Sequence, residues 1–317
     1  MKLLSEAELR RLIPPEAAIA SSERAFVALA RGEIIVPARS EIIRPDGEGV
    51  VFAMPGYLPG RVFGVKVIAT RGTASTAMVL LFDAVTLRPL GLLAADFLTD
   101  WRTAAGIAAA TRKLARPEAA VHVLFGAGRL AGPCARLVAA VRDLRRTIIV
   151  GRTAARAVAL AAQLTAEGIA AEAADDPAIV AEADIVTTVT TSATPVFPGS
   201  ALRPGAHVNL GGAFRPDTRE ADDDLARRGL YWLDSTAACL ARAGDLVMPL
   251  AAGALERGRV IGELGAALDG TLRGRRDAAE ITVFKSLGNA AQDICLAEDA
   301  LRLAGDQVPR FDPSGNA

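Results

Sequence analysis

An apolar segment that runs into closely spaced glycines restricts the fold of this chain more than any other stretch. The segment VHVLFGAGRLAGPC begins at Val121 and fits the pattern G-x-G-x-x-A, with Gly126, Gly128 and Ala131 at the fixed positions. In a strand–turn–helix unit, the first glycine permits a tight turn and the second lets the backbone approach a pyrophosphate. The small third residue lets the helix pack closely on the strand. The stretch predicts a dinucleotide-binding turn, with a purely structural turn as the alternative.

Apolar strands alternate with helix-forming segments from this turn onward. The predicted strands are VHVLFG, TIIVG, ADIVTTV, AHVNLG and GLYWLD, and AARAVALAAQLTAEG is a predicted helix among them. Strands that alternate with helices usually pair in parallel, with the helices on the faces of the sheet. We therefore predict an α/β fold class with a Rossmann-type, doubly wound parallel sheet in this part of the chain.

The residues ahead of the turn follow a different pattern. Two helices are predicted first, one from the capping-box pair Ser5 and Glu8 and one that opens at Pro14. Residues 33–94 then hold five short β-rich segments separated by turn sequences such as RPDGEG and YLPG. This pattern predicts an antiparallel sheet or a partial barrel. An alanine-rich helix, ADFLTDWRTAAGIAAATRKLA, follows.

Composition argues against several classes of protein. The 317 residues suffice for two domains, and Lys plus Arg and Asp plus Glu both total 36, so no overall field attracts nucleic acid or an anionic membrane. Three scattered cysteines and two histidines argue against a disulfide framework and a metal site. The start, MKLLSEAELRRLIPP, does not resemble a signal peptide, and no apolar run approaches about 20 residues. We expect a cytoplasmic protein without membrane or nucleic-acid partners.

The end of the second strand indicates which dinucleotide would fit. An NAD site usually has an acidic residue about 20 residues beyond the glycines, where it binds the ribose hydroxyls. Here the strand TIIV ends in Gly151, Arg152 and Thr153. Because arginine suits a 2′-phosphate, we predict NADP(H) as the preferred cofactor. NAD(H) is the alternative if Arg152 is only a solvated loop charge.

Three basic residues stand in apolar or helical surroundings ahead of the turn. Lys66 lies within the apolar strand FGVKVIA, where a charge is costly unless it is paired or functional. Arg39 lies in VPARSEI and Arg102 in TDWRTAAG, and arginine binds carboxylates through two parallel hydrogen bonds. The three predict an anchor for an amino or keto acid. The structural alternatives are a Lys66 that points to solvent and an Arg102 that pairs with Asp96 or Asp100.

Segments spread over nearly the whole chain are similar to those of one enzyme family. They include GVKV, LLFDAVTLRPLG, LTDWRTAAGIAAATRKLARPEA, GAGRLA, GRTAARA, LRPGAHVNLGGAFRPDTRE and EITVFKSLGNAAQDICLAEDAL. With these motifs the chain resembles the ornithine cyclodeaminase/mu-crystallin family of NAD(P)-dependent amino-acid and imine enzymes. The resemblance implies a β-rich, open-barrel-like substrate and dimerisation domain, residues 1–116 plus 278–317, and a Rossmann domain, residues 117–277. It also implies a homodimer.

The resemblance assigns roles residue by residue. Arg39 and Arg102 match the cations that hold the substrate's α-carboxylate. Lys66 matches the catalytic lysine beside the amino or imine nitrogen, as carboxylate partner or proton donor. The positions that match the family's cofactor contacts are Thr103, Gly126, Gly128, Arg129, Leu130, Arg152, Thr153, Thr188, Val189, Lys285 and Gly288.

One departure from the family bears on the reaction. Members that deaminate ornithine place an aspartate shortly after the glycines of NLGG, whereas here Ala213, Phe214 and Arg215 follow and the first carboxylate is Asp217. We therefore predict an NAD(P)H-dependent reductase of cyclic imino acids or an amino-acid dehydrogenase. One alternative is an ornithine cyclodeaminase that converts L-ornithine to L-proline and ammonia with catalytic NAD. The other is a non-catalytic dinucleotide- or small-ligand-binding protein of mu-crystallin type.

Overall fold

The computed structural model describes residues 1–45, 47–71, 74–306 and 308–311. The chain divides into two units: unit 1 comprises Met1–Arg102 and Gly288–Ala317, and unit 2 comprises Thr103–Leu287. The predicted boundaries at 116/117 and 277/278 differ from this division. At the second boundary the reason is that Ile281–Lys285 forms a strand inside the sheet of unit 2.

Unit 1 is built on a six-stranded sheet. Its strands are β1 (Lys2–Leu4), β2 (Ser40–Ile43), β3 (Gly49–Leu58), β4 (Val62–Arg71), β5 (Ala74–Asp83) and β6 (Pro89–Ala94). They lie in the order β1-β6-β5-β4-β3-β2, with β1 parallel to β6 and the other neighbours antiparallel. Because β1 and β2 are both edges, the sheet is open, as expected of an antiparallel sheet or a partial barrel.

The last helix of the chain covers one face of this sheet. The helices of unit 1 are α1 (Glu6–Leu12), α2 (Pro15–Ala30), the first part of α3 (Asp96–Leu114), and α10 (Ala290–Leu303). The last of these packs against α2 and against β3, β4 and β5. Gly56 and Gly64 permit the close approach, because a Cβ on either would press on Ile294 of α10. The first two turns of α10 therefore lie over β3 and β4.

Unit 2 contains an eight-stranded parallel sheet. Its strands are β7 (Val121–Phe125), β8 (Arg146–Val150), β9 (Ala171–Ala174), β10 (Ile185–Thr188), β11 (His207–Leu210), β12 (Gly229–Leu233), β13 (Val260–Glu263) and β14 (Ile281–Lys285). They lie in the order β13-β12-β14-β11-β10-β7-β8-β9. The strands predicted from the sequence are β7, β8, β10, β11 and β12, and the Rossmann-type α/β fold class is confirmed. The sequence pattern predicts none of β9, β13 and β14.

Helices connect the parallel strands. Those of unit 2, besides the rest of α3, are α4 (Ala131–Ala139), α5 (Ala154–Ala166), α6 (Asp223–Arg228), α7 (Thr236–Arg242), α8 (Gly244–Ala251) and α9 (Leu264–Leu268). The glycine turn leads directly into α4, whose N-cap residue is Leu130. Within the part of the chain that the structure describes, no helix has both the length and the apolar character needed to cross a membrane.

Both histidines of the chain are buried on strands of unit 2. His122 Nε2 lies 3.0 Å from Thr187 Oγ1. His207 lies 2.9 Å from Thr282 Oγ1 and 3.0 Å from Asn209 Oδ1. Burial lowers the pKa of each imidazole from its usual 6.5 to about 3. Both rings are therefore neutral in the folded protein at mildly acidic pH.

Acid is expected to destabilise unit 2 through these histidines. Between pH 6.5 and 3 the unfolded chain binds protons that the folded chain does not, so stability falls as the pH falls, by about 1.4 kcal/mol per pH unit for each histidine. Denaturant unfolding curves from about pH 7 to about pH 4.5 measure this loss. The variant His122→Gln should show roughly half of the histidine contribution. A free energy of unfolding that stays constant over this pH range would contradict the conclusion that both imidazoles are neutral in the folded protein.

Candidate functional site

Lys66, Arg102 and Asp293 form a buried ion cluster in unit 1. Lys66 Nζ lies 2.9 Å from Asp293 Oδ1 and 2.8 Å from Oδ2, and Arg102 Nε donates to Oδ1 at 3.0 Å. The Lys66 side chain is 1% exposed and that of Asp293 is 0% exposed, and Arg102 is buried as well. The alternative in which Lys66 points to solvent is wrong, and Arg102 has Asp293 as a partner.

The start of α10 positions Asp293 and Arg102. Asn289 is the N-cap residue, and its side chain accepts a hydrogen bond from Gln292 N. The Gln292 side chain in turn donates to the Arg102 carbonyl at 3.0 Å. Gly288 has φ of +71°, and a Cβ there would collide with the Arg102 guanidinium. A glycine is therefore required at this position, because the guanidinium packs directly on its backbone.

The pKa of Lys66 is lowered from its usual 10.5 to about 8. Burial is the main cause, and the positive charge of Arg102 adds to it, whereas Asp293 opposes it and Arg39 contributes least. Arg39 is held by Phe52, because its guanidinium carbon lies 4.7 Å from the centroid of that ring. Lys66 is therefore protonated at neutral pH and can release its proton at mildly basic pH.

An apolar surface adjoins these charges. Met54 lies opposite Lys66 across β3 and β4, and Phe52 lies opposite Ile68. Residues two apart on a strand share a face, so all four side chains belong to the face that α10 covers. Phe52 and Met54 pack with Ala290, and Ile68 packs against them. The cations of unit 1 are thus flanked by apolar side chains.

A cavity of about 430 Å³ lies at the carboxyl ends of the strands in unit 2. It is lined by the glycine turn after β7, by Arg152, Thr153 and Arg156 after β8, by Asp175 after β9, and by residues 189–192 after β10. In doubly wound sheets, ligands bind at this edge. Arg152 and Thr153 are among the positions predicted from the sequence, whereas Arg156, four residues after Arg152, is not.

The two glycines of the turn serve different purposes. Gly126 has φ of +118°, and a Cβ there would lie 2.8 Å from the carbonyl oxygen of Val189. Gly128 lines the cavity, and a Cβ there would meet no described atom within 4 Å. The backbone therefore requires glycine at position 126, whereas glycine at position 128 leaves room beside the cavity.

Several predicted cofactor positions are not among the described residues that line this cavity. Arg129 is exposed in the turn, Leu130 caps α4, and Thr103 is half-buried on α3. Gly288 belongs to unit 1, where it lies against Arg102. Val189, in contrast, is one of the predicted positions that line the cavity.

Thr188 and Lys285 are the two predicted cofactor residues with fully buried side chains. Thr188 Oγ1 donates to the Asn209 carbonyl oxygen at 3.5 Å, and the Thr188 carbonyl accepts from Gly211 N at 2.9 Å, so both groups are used within the sheet. Lys285 Nζ donates to Asp245 Oδ2 at 2.7 Å and to the Ala213 carbonyl at 2.6 Å. In this structure the Lys285 ammonium therefore serves an internal ion pair rather than a ligand.

Asp293 is a member of the cluster that was not predicted from the sequence. The available signal is a carboxylate among the apolar residues of NAAQDICLAEDAL, and in the structure residues 290–297 of this helix are all buried. A buried carboxylate requires a positive partner. The sequence does not reveal which cation that is, because Lys66 and Asp293 are 227 residues apart.

Comparisons with known proteins agree with this architecture. The model of the ornithine cyclodeaminase/mu-crystallin family matches residues 1–301. The chain is 33% identical over 310 residues to Delta(1)-pyrroline-2-carboxylate reductase of Bacillus cereus (strain ZK / E33L). The matched region covers 94% of this chain and 95% of that relative.

Solved structures are similar over almost the full length. The structure of Thermococcus litoralis Delta(1)-pyrroline-2-carboxylate reductase in complex with NADH and L-proline matches with a TM-score of 0.92 and 31% identity, over 96% of this chain and 97% of that one. An archaeal alanine dehydrogenase dimer with bound NAD matches with a TM-score of 0.88 and 25% identity, over 96% of each chain. The chain belongs to the ornithine cyclodeaminase/mu-crystallin family.

Proposed function

We propose that this chain is an NAD(P)H-dependent reductase of cyclic imino acids, with Δ1-pyrroline-2-carboxylate as the representative substrate. The observation that carries the proposal is the buried cluster of Lys66, Arg102 and Asp293, which has Arg39 and an apolar surface beside it. This combination suits a small acid with a carboxylate, an imine nitrogen and an apolar ring. The relatives from Bacillus cereus and Thermococcus litoralis, both named for this reaction, support it.

The residues of the cluster, together with Arg39, have three roles in the proposed reaction. Arg39 and Arg102 bind the substrate carboxylate and orient the molecule. The Lys66 ammonium donates a proton to the imine nitrogen, and Asp293 holds that ammonium in place. A bound reduced nicotinamide supplies the hydride for the imine carbon. The proton and the hydride together convert the C=N bond into a CH–NH unit, and the reverse direction is an amino-acid dehydrogenation.

The unit 2 cavity fits a dinucleotide, and we assign NADP(H) to it in preference to NAD(H). Gly128 leaves room for a pyrophosphate beside the start of α4, where backbone N–H groups favour anions. Arg152 and Arg156 supply two cations for a 2′-phosphate at the end of β8. The similar structures are described with NADH and NAD, so the NADP(H) preference depends on these two arginines.

The loop after β11 favours a reductase over an ornithine cyclodeaminase. Asp217 is exposed and accepts hydrogen bonds from Arg215. Glu220, the next carboxylate, is fully buried and accepts four hydrogen bonds from the protein. Because both carboxylates are occupied in this way, neither takes the place of the aspartate that ornithine deamination uses in this family.

An absorbance assay of nicotinamide oxidation tests the proposed function. The protein is given NADPH or NADH with Δ1-pyrroline-2-carboxylate and, in parallel, NAD⁺ with L-ornithine while ammonia is measured. We expect imine-dependent oxidation, faster with NADPH, and no ammonia. Ammonia and proline from ornithine without net NADH would establish the lyase instead. Cofactor binding without turnover in either assay would establish a binding protein.

The two glycines of the turn predict a matched pair of variants. Gly126→Ala should lower stability by about 1–3 kcal/mol, because alanine is strained at this φ and presses on Val189. Gly128→Ala should leave the melting temperature unchanged but weaken dinucleotide binding at least about tenfold, since its methyl group occupies space beside the cavity. Thermal unfolding and titration calorimetry measure the two effects. If Gly128→Ala binds the dinucleotide as tightly as the wild type, the pyrophosphate does not bind at this turn.

We also propose that the chain forms a homodimer through the sheet face of unit 1 that α10 does not cover. Val67 and Met78 are paired across β4 and β5 on this face and are 44% and 46% exposed. Tyr57, on the neighbouring strand β3, is also exposed. A solvated sheet face normally carries polar side chains at such positions, and apolar patches of this kind mark interfaces.

Charging this face should separate the proposed dimer into monomers. Val67→Lys and Met78→Lys each place an ammonium group in the interface, whereas Val85→Lys charges an exposed turn residue of the same unit and serves as the control. Light scattering after size-exclusion chromatography gives the mass of each variant. A wild-type protein with the mass of one chain would contradict the dimer. The cytoplasmic location and the lack of membrane or nucleic-acid partners stay predictions.

A further inference from the structure

Glu220 ties two loops of unit 2 together. Its Oε1 accepts hydrogen bonds from Thr190 N at 2.6 Å and from Thr190 Oγ1 at 2.8 Å. Its Oε2 accepts from Gly212 N at 2.7 Å and from Ala213 N at 3.0 Å. The first loop follows β10 and the second follows β11. One buried carboxylate therefore fixes the chain at the carboxyl ends of two neighbouring strands.

A second carboxylate and Lys285 hold Glu220 itself. Asp245 Oδ1 accepts from Glu220 N at 2.7 Å and from Ala221 N at 3.1 Å. Asp245 Oδ2 accepts from Lys285, which also donates to the Ala213 carbonyl. Although burial opposes it, the charges of Asp245 and Glu220 raise the pKa of Lys285, so the ammonium stays charged. The loop after β11 is thus held from both sides.

The position of this network in the sheet indicates which half of the dinucleotide site it supports. Strands β9, β8 and β7 carry Asp175, the two arginines and the glycine turn at their ends, whereas β10, β11 and β14 lie on the other side of the turn. A doubly wound sheet binds the two halves of a dinucleotide on its two mononucleotide-binding halves. Thr190, which Glu220 holds, lines the cavity on the second half.

We propose that Glu220 positions the nicotinamide half of the cofactor site, and that Lys285 acts only by supporting it through Asp245 and Ala213. The inference deepens the proposed function and rests on the dinucleotide site assigned there. In Glu220→Gln an amide NH₂ replaces one acceptor oxygen and faces N–H and O–H donors, so one of the two loops is released.

The test compares ligands with and without nicotinamide. Calorimetry measures the Kd of NADPH and of 2′-phospho-ADP-ribose, and in parallel of NADH and ADP-ribose, for wild type and Glu220→Gln. We expect NADPH to bind at least about tenfold more weakly to Glu220→Gln, and 2′-phospho-ADP-ribose to bind as in wild type. The control is Glu263→Gln, which removes a carboxylate that accepts from the Thr236 backbone elsewhere in unit 2 and should alter neither affinity.

A second variant keeps the inference testable if Glu220→Gln does not fold. Gly212→Ala pushes a methyl group against Thr190 and Glu220 Oε1 from the other side and should show the same selective loss. If the affinities for NADPH and for 2′-phospho-ADP-ribose fall equally, or if neither falls, the inference is overturned, because the network would then be purely structural. A wild-type protein that binds neither ligand overturns the proposed function itself, which is a distinct result.

Discussion

Replacing Lys66 by methionine is expected to lower kcat/KM for the cyclic imine by about 10³-fold, the usual contribution of a general acid. Methionine has a similar length and tolerates the apolar surroundings on β4, but it has no proton to donate and cannot pair with Asp293. The affinity for NADPH should not change, because Lys66 belongs to unit 1 and the cavity to unit 2. Steady-state kinetics and calorimetry measure the two quantities.

The control for this variant is Lys113→Met, which removes a half-buried lysine of α3. It should retain wild-type kcat/KM. Turnover of Lys66→Met within tenfold of wild type would mean that another group protonates the nitrogen. Turnover by the wild type that is lost in Lys66→Met, with NADPH binding intact in both, is the pattern that separates an enzyme from a dinucleotide-binding protein.

Replacing Asp293 by asparagine is expected to have the second largest effect. The reaction needs protonated Lys66, so kcat/KM of the wild type should be highest below pH 8 and fall as the pH rises through about 8, the pKa of Lys66. Asp293 is the group that raises this pKa. Without it the pKa falls, and the basic limb of the pH profile should move down by at least about one unit.

Asp293→Asn should also lose about 3 kcal/mol of stability, because two buried cations lose their common counter-ion. Asp299→Asn is the matched control, since it removes another buried carboxylate of α10, one that pairs with Arg24 and Arg302. We expect Asp299→Asn to lose stability without a shift in the basic limb of the pH profile of kcat/KM. If Asp293→Asn lowers activity equally at every pH, Asp293 supports the fold and does not set the pKa of Lys66.

The alternation of strands and helices in unit 2 could be predicted because its central strands are short segments rich in apolar and β-branched residues. The strands β7 (VHVLF), β8 (RTIIV), β10 (IVTT) and β11 (HVNL) are of this kind, and all of their residues except Arg146 are buried. The strand β9 is AEAA, without any β-branched residue, and β13 is VIGE, in which only two β-branched residues precede a glycine and a glutamate. Their pairing is decided by the neighbouring strand, which the local sequence does not reveal.

The site was partly predictable for a similar reason. Lys66 and Lys285 look alike in sequence, because each is a lysine in or after an apolar strand. The structure separates them by their partners, Asp293 in one case and Asp245 in the other. Both pairs join residues that are far apart in the chain, and such pairing depends on how α10 and α8 pack. Local pattern therefore identifies a buried charge but not the group that neutralises it.

The order in which this chain leaves the ribosome has a consequence for unit 1. Its sheet is synthesised early, but the helix that covers the sheet and supplies Asp293 is synthesised last, after all of unit 2. During synthesis, Lys66 and the apolar face around it stay uncovered until residues 290–303 have been made. By then the chain of unit 2 is already complete. Exposed apolar strands of this kind aggregate readily. A ribosome that stops before Gly288 therefore releases a product with a complete unit 2 and an uncovered sheet, which is a natural substrate for chaperones and proteases.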